Sequence, residues 1–129
     1  MRILVIEDSD AIRQMIETLV SARGHEVEGV STGTKGVDVA ISRTPDAILL
    51  DLMLPGSIDG FEVCRRLREA DATGAIPIII ISALDDDESK QRALGAGATA
   101  YYTKPFSPTA LIKEIETIPV RESGKHRAR

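Results

Sequence analysis

The chain has 129 residues, 43% of them apolar and 28% charged, which sets the expectation of one folded domain with a single core and no second module. No apolar run approaches the roughly 18 residues of a membrane span, and Met1-Arg2 lead directly into a strand-like run rather than a signal peptide, so the expected compartment is the cytoplasm. A net charge of −4 disfavours a nucleic-acid-binding body, and direct DNA binding is not expected.

In chain order, Ile3 to Ile6 reads as a first strand. Ile12, Met15, Ile16, Leu19 and Val20 then form one apolar helical stripe that Gly24 ends. Glu26 to Val30 is a less apolar strand, suited to a sheet edge. A short helix from about Gly33 to Arg43 buries Val37, Ala40 and Ile41 and stops before Pro45. Ala47 to Leu50 is a third strand, and Phe61, Cys64 and Leu67 mark the helix after it. Ile78 to Ile81 is a fourth strand. Asp85 to Leu94 reads as a fourth helix, whose first-turn acids Asp85, Asp86, Asp87 and Glu88 favour the helix dipole more than they suggest a metal site. Ala98 to Tyr102 is a fifth strand. Ser107 then caps a last helix with Pro108 at its first position and Leu111, Ile112, Ile115 and Ile118 inward.

Cys64 cannot form an internal disulfide and reads as a small buried apolar residue rather than a redox centre. Neither His25 nor His126 has a companion that would give it a chemical role. Arg121, Lys125, Arg127 and Arg129 against Glu122 leave the last nine residues at +3 and the rest at −7. Residues 119–129 are therefore expected to be a flexible basic tail, either a solvated terminus or the start of a linker, with contact to an acidic partner as the alternative.

Apolar strands with little alternation, each followed by a helix, specify an α/β fold: a doubly wound, five-stranded parallel sheet with five helices, with the expected order 2-1-3-4-5. In such sheets ligands bind beyond the carboxyl ends of the strands, and four polar positions stand there. Glu7 and Asp8 follow strand one, Asp51 follows strand three, Ser82 follows strand four and Lys104 follows strand five. Neighbouring strands lie about 4.8 Å apart, so Asp8 and Asp51 would enter one shallow pocket with Glu7 beside them. Three carboxylates so close require a cation. Lys104 and a hard divalent ion such as Mg²⁺ are the candidates, and the combination suits phosphoryl transfer onto a carboxylate.

The ordered set Glu7-Asp8, Asp51-Leu52-Met53-Leu54-Pro55-Gly56, Asp59-Gly60, Ser82-Ala83 and Tyr101-Tyr102-Thr103-Lys104-Pro105-Phe106 resembles the receiver domain of two-component response regulators, over about residues 1 to 118. The resemblance implies a flavodoxin-like receiver fold and a phosphorylation-activated switch in signal transduction, not a turnover enzyme. Asp51 would be the phosphoacceptor, taking the group from a sensor histidine kinase, a histidine phosphotransferase or a small donor such as acetyl phosphate. Asp8, Asp51 and the Met53 backbone carbonyl would ligate Mg²⁺ or Mn²⁺ directly, with Glu7 acting through a water. Lys104 would pair with a phosphoryl oxygen, and the Lys104-Pro105 bond would be cis. Ser82 would donate to the new phosphoryl group, and Tyr101 would then rotate from exposed to buried. The surface made by helix four, strand five and helix five would be read by a downstream protein partner.

Several positions depart from the commonest family pattern. Glu7 stands where Asp is more usual, which a water-mediated ligand tolerates. Gly56-Ser57-Ile58 adds one residue to the loop after strand three. Thr99 and Ala100 replace acids that DNA-binding members use across a dimer, so a monomer, or a weak phosphorylation-dependent dimer, is expected. Met53 and Leu84 are apolar where polar residues could align an attacking water, so slow hydrolysis of the phosphorylated Asp51 is expected. A second reading within the family is a phosphorelay intermediate or phosphate sink without its own output.

Other motifs carry less. Gly95-Ala96-Gly97-Ala98-Thr99-Ala100 spells a dinucleotide fingerprint but precedes a strand instead of following one. Gly33-Thr34-Lys35-Gly36 lacks the upstream glycine of a phosphate-binding loop. With 3% aromatics there is little to stack a flavin, which leaves a flavodoxin-like ligand-binding enzyme as the remote alternative.

Overall fold

The computed structural model describes residues 1–119, so the expectation of a flexible basic tail falls almost wholly outside the described residues. Ten elements alternate along the chain: β1 Arg2–Ile6, α1 Asp10–Ser21, β2 Glu26–Val30, α2 Gly33–Arg43, β3 Ala47–Leu50, α3 Gly60–Glu69, β4 Ile78–Ser82, α4 Asp87–Gly95, β5 Ala100–Thr103 and α5 Pro108–Glu116. All strand pairings are parallel and the order is β2-β1-β3-β4-β5, the doubly wound arrangement expected. No helix among the described residues is long and apolar enough to cross a membrane.

Alternate strand residues feed two layers of core. Leu4, Ile6, Ile48, Leu50, Ile78 and Ile80 face α2, α3 and α4 and meet Val37, Ala40, Val63, Leu67 and Ala93. Ile3, Val5, Leu49, Ile79 and Ile81 face the other way and meet Ile16 and Val20 of α1 and Leu111 and Ile115 of α5. Both faces of β3 and β4 are covered, which explains why their sequences are apolar without alternation. At about 1.5–3 kcal/mol for each fully buried Leu or Ile side chain, this double layer is the main stabilising term of the fold.

Helix starts follow the chemistry of their caps. Ser9, Thr32, Asp59, Asp86 and Ser107 each accept a backbone N–H from the first turn of the helix that follows. The run of acids places the fourth helix from Asp85, but Asp86 is the cap, bonded to Ser89 N at 2.9 Å, so Asp85 stays outside. β5 begins at Ala100, later than residue 98. Gly97 has φ +112° and Ala98 N returns to Ala93 O at 3.0 Å, so this stretch closes α4 and does not start the strand.

Three positions assigned to apolar stripes are more open than their spacing implies. Met15 is 47% exposed and Ile41 is 43% exposed, while Ile112 is half-buried. The sheet is only five strands wide, so a helix lying over it covers a narrow stripe. In α2 the partly buried Val39 packs on the core instead of Ile41. Cys64 is fully buried and its thiol donates to Ala96 O at 3.4 Å; burial pushes the thiol pKa up, as suits a packing role.

Candidate functional site

The strand register assembles the site. Ile6 is level with Leu50 across β1 and β3, so Glu7 and Asp51 leave the sheet side by side, and Asp51 N donates to Ile6 O at 3.0 Å. Ser82 is level with Thr103 across β4 and β5, and Lys104 N donates to Ser82 O at 2.8 Å. Lys104 therefore emerges across the sheet end from the acids.

Each acid is held by named donors. Glu7 is 2% exposed; its Oε2 accepts from Ser9 N at 3.0 Å and its Oε1 from Lys104 Nζ at 2.8 Å. Asp51 is 5% exposed; its Oδ1 accepts from Met53 N at 3.2 Å and its Oδ2 from Lys104 Nζ at 3.3 Å. Asp8 is exposed, yet one carboxylate oxygen from each of Glu7, Asp8 and Asp51 lies within 4.8 Å of the others. Burial pushes the Glu7 carboxyl up, against the pull of the Lys104 hydrogen bond. Burial also opposes the charge on Lys104, but the Glu7 hydrogen bond and the Asp51 charge outweigh it and its pKa rises. Lys104 thus stays cationic between two anions. An all-oxygen donor set of three carboxylates fits a hard divalent ion such as Mg²⁺ or Mn²⁺ and suits softer metals poorly.

Beyond Asp51 the rim is built from β4 and β5. Ser82 is fully buried, and its Oγ accepts from Leu84 N at 3.3 Å. The Lys104-Pro105 peptide is cis. Tyr101 is half-buried against the core layer that α2, α3 and α4 cover, and its hydroxyl donates to Leu84 O at 2.6 Å. The reason is that the ring gains apolar cover while its hydroxyl finds a carbonyl. Burial raises the phenol pKa, opposed by hydrogen bonding with Ser82. Met53 is 56% exposed at the mouth of the site, and Leu84 is half-buried.

The loop after β3 is anchored. Gly56, at φ +95°, makes the turn, and Ile58 is buried against Val63 and the N-terminal end of α2. Gly60 is required for a different reason, because a Cβ there would run into Asp51 O and Leu52 Cα. The Asp59-Gly60 pair is visible in the sequence, but the close backbone approach that Gly60 permits is set only by the fold.

Residues 3–116 match the family description "Response regulator receiver domain". The DNA-binding dual master transcriptional regulator RpaA of Synechocystis is 37% identical over 97% of this chain and 54% of its own length. The chain spans about half the length of the curated relatives that it matches first. Among solved structures, chemotaxis protein CheY4 of Vibrio cholerae superposes with a TM-score of 0.85 at 30% identity, over 92% of this chain and 98% of that one. The receiver domain of sensor histidine kinase PA1611 of Pseudomonas aeruginosa, described with a magnesium ion coordinated in its active site cleft, gives 0.84 at 30% identity, over 91% and 95%.

Proposed function

Because the chain belongs to the response regulator receiver domain family, we propose that it is a phosphorylation-activated switch whose acceptor is Asp51. The observation that carries this reading is a buried Asp51 carboxylate set beside Glu7 and Asp8, with Lys104 bridging Asp51 and Glu7.

In the proposed reaction an Asp51 oxygen attacks the phosphorus of a phosphohistidine or of acetyl phosphate. The new bond is O–P. The bond that breaks joins phosphorus to the imidazole nitrogen or the acetyl oxygen, and the leaving group departs with the electron pair. Met53 N already donates to Asp51 Oδ1, which leaves Oδ2, on the Lys104 side, as the attacking atom. Lys104 then trades its contact with Asp51 for a phosphoryl oxygen while keeping Glu7. Asp8, Asp51 and the Met53 carbonyl would hold Mg²⁺ or Mn²⁺, with Glu7 contributing through a water. When bound, such an ion supplies positive charge that screens the carboxylates from the incoming phosphoryl oxygens. The magnesium in the cleft of the PA1611 receiver domain supports this choice.

Ser82 and Tyr101 couple the site to the surface. Ser82 now accepts from Leu84 N, and donating its hydroxyl to the phosphoryl group would draw the β4–α4 loop toward Asp51. Tyr101 holds the same loop at Leu84 O, so the loop, the ring and α4 would shift together. The changed face of α4, β5 and α5 would bind a downstream protein partner, and the donor would be a sensor histidine kinase or histidine phosphotransferase. On this reading the chain is a signalling protein that promotes its own phosphorylation.

The test is beryllofluoride, a phosphoryl mimic, added with Mg²⁺ to the ¹⁵N-labelled protein. Amide shifts running from Asp51 through Ser82 and Leu84 to Tyr101, absent in Asp51→Asn, are expected. Shifts confined to residues touching Asp51 would contradict the switch.

A further inference from the structure

Glu7 and Asp8 sit on the short turn between β1 and α1, and this turn has a support that reaches it from the helix. Arg13 lies in the first turns of α1 with its side chain only 17% exposed. Its Nη1 donates to the Glu7 backbone carbonyl at 2.9 Å, and its Nη2 to Asp10 Oδ1 at 2.6 Å. Nε stands 3.9 Å from Glu17 Oε2, one helical turn further on. Helical side chains lean toward the N-terminus, so residue 13 is well placed to reach back to residue 7.

The path of Arg13 is open because β2 has no side chain there. Gly29 is level with Val5 in the sheet, and a Cβ on it would run into the Glu17 carboxylate and lie 2.9 Å from Arg13 Cδ. A glycine inside a strand weakens it and marks a close approach by another group. In this strand that group is the Arg13–Glu17 pair.

We propose that Arg13, seated over Gly29, is the positioning residue that fixes the Glu7–Asp8 turn for divalent-ion binding. This rests on the reading of Glu7, Asp8 and Asp51 as the metal site. Glu7 N is bound to Val30 O at 3.0 Å, Arg13 Nη1 binds Glu7 O, and Ser9 N binds the Glu7 carboxylate. Asp8 is exposed, so its direction is set by the backbone on either side of it. Ser9 is already tied into α1 through Ile12 N and Arg13 N. The Glu7 carbonyl is the matching tie on the strand side, and Arg13 supplies it.

Arg13→Met removes the donor, and Gly29→Ala crowds the same side chain without altering it. Arg43→Met is the control, since Arg43 pairs with Glu28 on the same strand at 3.3 Å. Two quantities are read on the full chain: Mg²⁺ affinity by calorimetry, and hydrogen exchange of the Asp8 and Ser9 amides without metal. Both test variants are expected to lose about tenfold in Mg²⁺ affinity and to exchange faster at Asp8 and Ser9, with the control at wild-type values. Gly29→Ala added to Arg13→Met should cause no further loss of affinity. If wild type, both test variants and the control bind Mg²⁺ alike, or if exchange at Asp8 and Ser9 is unchanged in both test variants, Arg13 only stabilises the fold and the proposal fails. If the wild-type protein itself does not bind Mg²⁺, the metal reading fails, and the exchange rates alone then decide whether Arg13 holds the turn.

Discussion

The Tyr101 hydroxyl donates to the Leu84 carbonyl at 2.6 Å, which fastens β5 to the loop between Ser82 and α4. Tyr101→Phe removes this donor and leaves a half-buried carbonyl unpaired. A loss of about 1 kcal/mol in stability is expected. Faster hydrogen exchange at Leu84 and Asp85 should accompany it, while exchange in β1 stays at the wild-type rate. Uniform acceleration across the sheet would show that the bond has only a global role.

Three clustered carboxylates, two of them paired with Lys104, make the metal-free site self-repulsive, and Asp51→Asn removes one charge while Lys104 keeps Glu7. The variant should therefore unfold at a higher temperature without metal, by on the order of 1 kcal/mol or about 4 °C. Added Mg²⁺ at a hundred times its dissociation constant should stabilise the wild-type protein by about 2.7 kcal/mol, raising its midpoint, and leave the variant nearly unmoved. Calorimetry with and without Mg²⁺ reads both effects.

Gly60→Ala places a methyl group against Asp51 O and Leu52 Cα, so the backbone behind the acceptor must move. Overpacking of this kind costs about 1–3 kcal/mol. Phosphorylation of Asp51 by acetyl phosphate should slow more in Gly60→Ala than in Gly95→Ala, where the added Cβ meets open space.

Glu62 lies in the first turn of α3. Hydrogen bonds from Arg65 and then Arg66 lower its pKa to about 2. A depressed folded pKa means that its contribution to stability is complete above the unfolded value of about 4.3 and is lost as pH falls through about 2. NMR titration of the Glu62 carboxyl should give that midpoint, and Arg65→Gln with Arg66→Gln should return it to the ordinary glutamate range.

Met53 and Leu84 stand at the mouth of the site without a polar group to orient water. The phosphorylated Asp51 is therefore expected to persist for minutes to hours. Met53→Asn combined with Leu84→Glu should shorten its lifetime; an unchanged hydrolysis rate would show that these side chains do not control water.

The strands that carry the acids and Ser82 were legible because β1, β3 and β4 are apolar runs with no alternation, as expected of a sheet covered on both faces. Glu7, Asp8, Asp51, Ser82 and Lys104 were legible as a group because each stands at the carboxyl end of a strand-like run, the last of them the less buried β5, and register does the rest. Exposure of Met15 and Ile41 was not, because helical period gives the direction of a stripe but not the width of the sheet beneath it. The inward Tyr101 depends on a carbonyl 17 residues away, and the Arg13 contact on a missing side chain in another strand. Gly29 was a visible signal, since an interior strand glycine marks a close approach, but the sequence does not say of what.

The most direct test of the account is the intact mass of the protein after incubation with acetyl phosphate, with and without Mg²⁺, beside Asp51→Asn. The account predicts the gain of one phosphoryl group that requires Mg²⁺ and Asp51 together. A gain that survives Asp51→Asn, or none in the wild-type protein with Mg²⁺, would contradict it.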